Sequence, residues 1–237
     1  MIEYPVTFVP LPIGNRADIT RRALQILEEV ETICCEDTRH TGLLLAHYEI
    51  KNKKLLSMHE HNESQRAGEI ATRALAGERF AVVTDAGMPG VSDPGYRLIQ
   101  ELKAQQVDFT VLPGPSAVVT ALVGSGLPSD AFFFAGFLPV KSGRKATMLT
   151  TAVEASHTSI FYESPYRIVK TLQALVKIDP SVPVCLAREL TKKFESYHRG
   201  SAAELAEQFT KQPPKGEMVL LIGGQNAPRA KGEEKED

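Results

Sequence analysis

One stretch, residues 80–102 (FAVVTDAGMPGVSDPGYRLIQEL), constrains the fold of this chain most strongly. Its first five residues form a short apolar, β-branched run, which is typical of a buried parallel strand. Residues 85–90 follow with two glycines and a proline, which permit sharp backbone turns. Asp93 and Pro94 then fit the N-cap and the first position of a helix. A strand, a bend and a capped helix place a loop at the carboxyl end of the strand, where open α/β sheets bind ligands.

The side chains of this loop are acidic rather than basic. Asp85 ends the strand, and no Lys or Arg occurs between residues 80 and 96. Phosphate sites use bare backbone N–H groups and usually a Lys, so a polyphosphate ligand is disfavoured. A carboxylate suits a ribose hydroxyl or a cationic group, and S-adenosylmethionine offers a ribose, an ammonium and a sulfonium. An ordinary βα turn, whose Asp caps backbone groups, explains this stretch equally well by itself.

Composition indicates a soluble globular protein with one large domain or two small ones, since 237 residues carry 43% hydrophobic and 24% charged side chains. The net charge of −2 gives no global field that attracts nucleic acid, so any polyanion site is local. The sequence shows no secretory signal and no membrane-spanning run, and we expect a cytoplasmic protein without membrane contact. Cys34, Cys35 and Cys185 lie in apolar runs and form no CxxC pair, which predicts buried free thiols.

Strand patterns alternate with helix patterns through the first half of the chain. Strands are predicted at residues 6–9, 32–35, 54–57, 80–84 and 109–112. The helices between them have candidate N-caps at Asp18 and Thr38 and a candidate capping box formed by Asn62 and Gln65. This alternation predicts a mostly parallel sheet.

The segment PGPS at residues 113–116 is the best candidate for a domain boundary, because prolines around a glycine end a strand and Ser116 can cap the next helix. Further strands are predicted at residues 132–135, 159–162, 182–187, 195–199 and 217–222. The last residues are polar and aperiodic. We therefore expect an N-terminal α/β domain at residues 1–113, a C-terminal α/β domain at 114–224 and a disordered tail at 225–237.

Polar clusters follow three strands of the first domain, at residues 10–15, 36–39 and 85–93. Because parallel strands present their carboxyl ends together, these clusters should line one edge of the sheet. Structural caps could explain each cluster alone, whereas three on one edge favour a binding site.

Other motifs are weaker. His59-Glu60-His61 could chelate zinc, but it has no third ligand at the usual spacing, so we expect no metal. The basic loop with Lys141, Arg144 and Lys145 is typical of solvated surface, and in an RNA-binding protein it would contact phosphates. The chain has no GxSxG, Walker A or GxGxxG motif, which argues against hydrolase, triphosphatase and dinucleotide-binding functions.

Ten segments taken together carry a family resemblance: PLPIGNRADITRRAL, CCEDTRHTGLLL, HEHNES, DAGMPGVSDPG, LPGPSAVVTAL, SGLPSD, FAGFLP, FYESPYR, ARELTKKFE and KGEMVLLI. In this order they resemble the bacterial ribosomal RNA small-subunit methyltransferase I family, whose members methylate a cytidine 2′-oxygen in small-subunit (16S) ribosomal RNA. The resemblance covers residues 6–222. It implies the two-domain class III, tetrapyrrole methylase-like fold, with a parallel-sheet N-terminal domain, a mixed-sheet C-terminal domain and the cofactor in the cleft between them.

The same resemblance implies the cofactor and the partners. The cofactor is S-adenosyl-L-methionine, and the protein is expected to be a homodimer that acts on small-subunit ribosomal RNA in the assembled 30S subunit. Leu11 stands where the family commonly has Thr, so no side-chain hydrogen bond is expected there. The implied cofactor-binding residues are Pro12, Asp85, Ala86, Gly87, Met88, Pro89, Ser92, Asp93, Ser116, Ala117, Tyr162, Leu190, Glu217 and Met218.

For such a reaction the protein must mainly align a ribose 2′-oxygen with the sulfonium methyl group. A positioned base should help, because a ribose hydroxyl is a poor acid. Two alternative functions stay open: methylation of a tetrapyrrole or corrin precursor, and S-adenosylmethionine binding without catalysis. The candidate bases are Glu36, Asp37 and Glu189, and the side chains available for phosphate or developing charge are Arg39, Arg167, Arg188 and Lys192.

Overall fold

A computed structural model of the protein describes residues 4–227. Contacts divide the chain into two compact units, Met1–Ser116 and Ala117–Asp237. The division falls at the end of the PGPS segment.

The first unit is a parallel sheet with helices on both faces. Its five strands lie in the order β3-β2-β4-β1-β5, and every neighbouring pair is parallel, which confirms the predicted parallel sheet. The elements are β1 (Val6–Phe8), α1 (Arg21–Glu29), β2 (Thr32–Cys35), α2 (Thr38–His47), β3 (Lys54–Ser57), α3 (Glu63–Leu75), β4 (Phe80–Val82), α4 (Tyr96–Ala104) and β5 (Phe109–Val111).

Successive residues of these strands face opposite sides of the sheet. Cys35 packs in the cluster that contains Leu27 of α1 and Leu45 of α2. Cys34 packs in the opposite cluster with Ile70 of α3 and Leu98 of α4. Because both faces are covered, every residue of the three central strands β1, β2 and β4 is buried, and most of these residues are apolar. The cysteines are buried and unpaired, as predicted.

The second unit contains a mixed sheet. Its strand order is β6-β7-β10-β8-β9; β6 and β7 are parallel, and the other neighbours are antiparallel. Its main core lies between this sheet and α6, α7 and α8. The elements are α5 (Ala117–Ser125), β6 (Phe132–Phe137), α6 (Ser142–Glu154), β7 (Thr158–Glu163), α7 (Ile168–Ile178), β8 (Pro183–Arg188), β9 (Ser196–Ser201), α8 (Ala202–Lys211) and β10 (Met218–Gly223).

Two helices of the first unit have caps other than the predicted ones. Thr20, and not Asp18, caps α1 by accepting a hydrogen bond from the N–H of Ala23. Asp37, and not Thr38, caps α2. Both observed caps have extended backbone, which points the side chain at the free N–H groups of the first turn.

The predicted capping box at α3 is wrong. Asn62 precedes the helix, but its backbone is helical and its side chain makes no capping bond. Its Oδ1 instead accepts from the N–H of His59 at 2.8 Å, and its Nδ2 donates to the carbonyl of Ser57. Asn62 therefore fastens the turn between β3 and α3.

Further differences lie in the second unit. The predicted basic loop is largely helical, because α6 begins at Ser142. Helix α8 was not predicted, although Ser201 and Glu204 form a capping box at its start. At the start of the predicted disordered tail, the N–H groups of Gln225 and Asn226 donate to carbonyls of Val153 and Ala155. The rest of that tail, residues 228–237, lies outside the described residues.

Candidate active site

The loops that follow β1 and β4 are joined at the carboxyl edge of the parallel sheet. Leu11 and Gly87 form an antiparallel bridge, with N–H to carbonyl distances of 3.0 and 2.9 Å. Gly87 has φ +73°, a conformation that favours glycine, and a Cβ there would lie 3.4 Å from Ile13 Cγ2. The bridge uses only the backbone of Leu11, whose side chain is buried. This contact fixes where the acidic loop after β4 begins.

The loop that follows β2 meets the same edge through Asp85. One carboxylate oxygen of Asp85 accepts a hydrogen bond from the N–H of Asp37 at 3.2 Å, and His40 Nδ1 lies 3.5 Å from that oxygen. The side chain of Asp85 is nevertheless 42% exposed. Its second oxygen has no hydrogen-bond partner among residues 4–227, and it is therefore available to a ligand.

Two further carboxyl groups near this edge have raised pKa values. Burial, followed by the negative charges of Glu36 and Asp85, raises the pKa of Asp93 to about 6. Burial and the charge of Asp85 raise the pKa of Glu36. Within the described part of the chain, no Lys or Arg forms an ion pair with these three residues. Within residues 4–227 the edge is therefore acidic without a Lys or Arg partner for these three carboxyl groups, which suits a cationic ligand.

Asp37 differs from its neighbours because its carboxylate is already paired. It accepts from Arg39 Nη2 at 2.7 Å and from Arg39 Nε at 3.2 Å. The hydrogen bonds from Arg39 hold the pKa of Asp37 far below its usual range. A carboxylate with so low a proton affinity is a poor general base.

A buried residue on α3 holds the end of the acidic loop. Helix α4 begins at Tyr96 with Gly95 in the N-cap position at φ +139°, so the predicted N-cap at Asp93 is wrong. The cap is Glu63, which is 6% exposed and accepts from the N–H groups of Gly95 and Arg97 at 2.8 and 2.9 Å. Because the cap comes from 32 residues away, the local sequence around α4 contains no signal for it.

The other predicted residues of this loop occupy a compact turn. The N–H of Gly90 donates to the carbonyl of Pro94 at 3.0 Å, and the N–H of Val91 donates to the carbonyl of Met88. Ser92 has φ +62°. Pro12 and Pro89 are buried, Met88 is half-buried and Ala86 is exposed.

In the second unit, Glu189, Lys192 and Glu217 form one ionic cluster. Glu189 Oε1 accepts from the N–H of Glu217 at 2.9 Å and from Lys192 Nζ at 3.2 Å. Lys192 Nζ also lies 2.7 Å from Glu217 Oε2. The backbone bond from Glu217, together with Lys192, lowers the pKa of Glu189. Both carboxylates of this cluster have a cationic partner in Lys192, in contrast to the edge of the first sheet.

The remaining predicted cofactor residues of this unit lie on or beside its strands. Met218 starts β10 opposite Arg188 of β8 and is buried, as is Leu190. The Tyr162 ring packs edge-on against Phe134 and Phe137 at centroid distances of 5.0 and 5.4 Å. At the division between the units, Ser116 ends the first and Ala117 begins α5, and both are half-buried.

Two arginines proposed for phosphate contact are engaged with the backbone. Arg167 Nη2 donates to the carbonyls of Leu138 and Pro139 at 2.6 and 3.1 Å. Arg188 donates to the carbonyls of Lys215 and Phe194. Both guanidinium groups therefore fasten loops of the second unit, and the prediction that they are available to phosphate finds no support in these contacts.

Within residues 4–227, no three His, Cys, Asp or Glu side chains are grouped as a metal site requires. The rings of His59 and His61 pack edge-on with centroids 5.9 Å apart. No helix in the same range is both long and apolar enough to cross a membrane.

The tetrapyrrole (corrin/porphyrin) methylase family matches residues 5–206. A ribosomal RNA small subunit methyltransferase I from Vibrio cholerae is 48% identical over 219 residues, which cover 91% of this chain and 76% of that protein. The enzyme of the same name from Escherichia coli is 45% identical and covers 92% of this chain and 77% of its own length.

Solved structures show the same fold. The cobalamin biosynthetic enzyme cobalt precorrin-4 methyltransferase superposes with a TM-score of 0.67 at 18% identity, covering 92% of this chain and 94% of that chain. This likeness confirms the class III α/β fold, with one parallel and one mixed sheet. Given the identity to the Vibrio and Escherichia enzymes over nine-tenths of its length, the chain belongs to the ribosomal RNA small subunit methyltransferase I family of S-adenosylmethionine-dependent enzymes.

Proposed function

We propose that the protein transfers a methyl group from S-adenosylmethionine to a cytidine ribose 2′-oxygen in small-subunit (16S) ribosomal RNA. The observation that carries this proposal is the 48% identity, over 91% of the chain, to an enzyme named for that RNA. The tetrapyrrole alternative rests on structures 18–21% identical, and likeness at that level extends to the fold alone.

The acidic edge of the parallel sheet fits this cofactor. S-adenosylmethionine, when bound, supplies an electrophilic methyl group on a positively charged sulfur. The free oxygen of Asp85 can accept from ribose hydroxyls or an ammonium group, and the loop from Ala86 to Pro89 contributes backbone groups. The charges of Asp93 and Glu36 favour a cation at this edge, because burial and the neighbouring negative charge of Asp85 raise both pKa values and a bound cation would offset that charge.

Among the three candidate bases, Glu36 fits the role best. Burial and the charge of Asp85 raise its pKa, so its carboxylate takes up a proton more readily than an ordinary Glu. Hydrogen bonds from Arg39 lower the pKa of Asp37. Hydrogen bonds from the N–H of Glu217 and from Lys192 lower the pKa of Glu189. We assign Glu36 as proton acceptor.

The other candidate residues have different roles in this proposal. The Arg39 side chain is 89% exposed, and it can contact RNA phosphate while Asp37 orients it. Lys192 and Glu189 hold the turn after β8 against Glu217. Leu190 lies in that turn and Met218 follows Glu217 at the start of β10; the family resemblance assigns both to the cofactor together with Ser116, Ala117 and Tyr162.

The proposal includes a substrate form and an oligomeric state. A net charge of −2 gives little general attraction to RNA, so we expect the assembled 30S subunit to be methylated faster than naked RNA. We also expect a homodimer in the cytoplasm. Sedimentation of the purified protein measures the oligomeric state directly.

Methyl transfer from labelled S-adenosylmethionine tests the activity. The acceptors are small ribosomal subunits that lack the modification, the corresponding naked RNA, and a corrin precursor. We expect label on a cytidine ribose, located by nuclease digestion and mass spectrometry. Label on the corrin alone would select the tetrapyrrole function, and tight cofactor binding without transfer to any acceptor would select the non-catalytic one.

A further inference from the structure

The second unit exposes two cations and a strongly exposed aromatic ring on two segments that Arg167 joins. We define the basic–aromatic surface as Lys141, Arg144 and Tyr166. The Tyr166 residue is 93% exposed, and both cations are exposed. Among residues 4–227, neither cation has a carboxylate at ion-pair distance. The surface therefore offers positive charge and an aromatic face that no other side chain neutralises or covers.

A buried ion pair holds both parts of this surface in place. Glu163 Oε1 lies 3.1 Å from Arg167 Nε, and the Glu163 side chain is fully buried. Arg167 in turn donates to the carbonyls of Leu138 and Pro139, just before Lys141. The turn that carries Tyr166 and the segment that carries Lys141 are thus bonded to one guanidinium group.

Lys145 belongs to this framework and not to the exposed surface. Its Nζ lies 3.3 Å from Thr171 Oγ1, and that hydroxyl donates to Glu163 Oε2 at 2.8 Å. Its contact fastens the first turn of α6 to α7, and Arg144 lies in the same turn. Tyr166 is therefore not on a loose loop: a rigid support presents it and the two cations to solvent.

The charge around this surface is one-sided. No Asp or Glu occurs between residues 131 and 153, although the whole chain has a net charge of −2. Unpaired bases of single-stranded RNA stack on exposed aromatic rings, and Lys and Arg bind the adjoining phosphates. An exposed tyrosine and exposed cations, on segments that Arg167 joins, provide this combination.

We propose that the basic–aromatic surface binds an unpaired segment of the RNA substrate, with a base stacked on Tyr166 and phosphates at Lys141 and Arg144. The inference rests on the proposed RNA methylation and adds to it a substrate-binding region in the second unit. The residues act by binding and take no part in the chemical step.

Binding of unmodified small-subunit ribosomal RNA, transcribed in vitro, tests this inference. Stacking of one base contributes about 1–3 kcal/mol, so Tyr166→Ala should weaken RNA affinity about tenfold, whereas Tyr166→Phe should stay within about threefold of the parent. Lys141→Ala/Arg144→Ala should lower the slope of log affinity against log salt by about 1.4, from two lost phosphate contacts at about 0.7 each.

The matched control is Lys51→Ala/Arg79→Ala, which removes two exposed cations from the first unit. It changes the net charge equally and should leave the RNA affinity within about threefold of the parent. Calorimetry should show parental affinity for S-adenosylmethionine in every variant, because none of these residues lies at the acidic edge.

Several results would overturn the inference. RNA affinity of Tyr166→Ala equal to that of the parent would remove the stacking role. A loss confined to assembled subunits would assign the surface to a ribosomal protein, and a changed sedimentation coefficient would assign it to a second copy of the chain. If the parent protein binds S-adenosylmethionine but neither binds nor methylates RNA, the proposed function itself fails, and the failure is then visible without any variant.

Discussion

The acidic edge of the first sheet and the ionic cluster of the second unit contain similar side chains in opposite electrostatic states. At the first, Asp85 keeps a free oxygen, and Glu36 and Asp93 have raised pKa values. In the second, Lys192 lies between Glu189 and Glu217, and the pKa of Glu189 is lowered.

The presence or absence of a cationic partner separates carboxylates that can bind a ligand from carboxylates that stabilise the fold. A carboxylate that the protein leaves without a cation is less stable when ionised, and a cationic ligand relieves that cost. A carboxylate already paired with Lys and a backbone N–H gains little from a further partner. Carboxylates occur in both regions of the sequence, so the partners that folding gives them decide their roles.

The strongest test of the comparison replaces the two candidate bases in turn. Glu36→Gln should lower the single-turnover methylation rate about 100-fold, because general base catalysis typically contributes about 10²–10⁴-fold. Glu189→Gln should lower the same rate less than about tenfold, since its carboxylate is occupied by Lys192 and Glu217. Equal losses in both variants would show that the pKa difference does not select the base.

Cofactor affinity should depend on the charge of Asp85. Asp85→Asn keeps an oxygen for the N–H of Asp37 but removes the negative charge. A hydrogen bond to a charged group contributes about 1.5–3 kcal/mol, so we expect affinity for S-adenosylmethionine to fall about 10–100-fold in calorimetry. The control Asp108→Asn, at an exposed position between α4 and β5, should leave the affinity unchanged. Parental affinity in Asp85→Asn would place the cofactor elsewhere.

The pH dependence of the free energy of unfolding should show the cost of ionising the partly buried Asp93. Its folded pKa of about 6 lies above the unfolded value near 3.8, so the folded state binds the proton more tightly, and stability falls as pH rises through this interval. Asp93→Asn removes that loss. Because Asp93 keeps some solvent contact, we expect a gain of about 1 kcal/mol in the free energy of unfolding at pH 7.5 and little change at pH 4.

Urea unfolding at the two pH values measures this effect. If Asp93→Asn gained equally at both pH values, the gain in the free energy of unfolding would come from packing and not from ionisation. Added S-adenosylmethionine should raise the stability of the parent at pH 7.5, since ligand binding stabilises the folded state.

The smallest effect is expected in the ionic cluster of Glu189, Lys192 and Glu217. Lys192→Met removes the cation but leaves Glu189 its hydrogen bond from the N–H of Glu217. Because the Glu217 side chain is 82% exposed, water can replace this partner, and the free energy of unfolding should fall by about 1 kcal/mol or less. A fall in methylation larger than that of Glu36→Gln would reverse the roles assigned to the two edges.

The sequence located the strands well because their apolar, β-branched residues end at polar turns. The third strand, Lys54–Ser57, has the predicted bounds. Helix starts were harder, since Asp18 and Thr38 look as suitable for capping as Thr20 and Asp37, and backbone conformation decides between them. Helix α8 has a readable signal in the capping box of Ser201 and Glu204, but β9 ends at Ser201 itself, so no turn in the sequence marks the start of the helix.

The location of the candidate site could be predicted from the sequence, but the role of each of its residues could not. The sequence alone determined that three polar loops share the carboxyl edge of a parallel sheet, because strand alternation fixes which ends meet. Only the tertiary structure decided that Glu63 on α3 caps α4 and that Arg39 pairs with Asp37. It also decided that, among the described residues, one oxygen of Asp85 binds the N–H of Asp37 and the other has no partner. Hydrogen bonds and charges act over a few ångströms, and folding brings residues together across dozens of positions, so proton affinities follow from the folded chain.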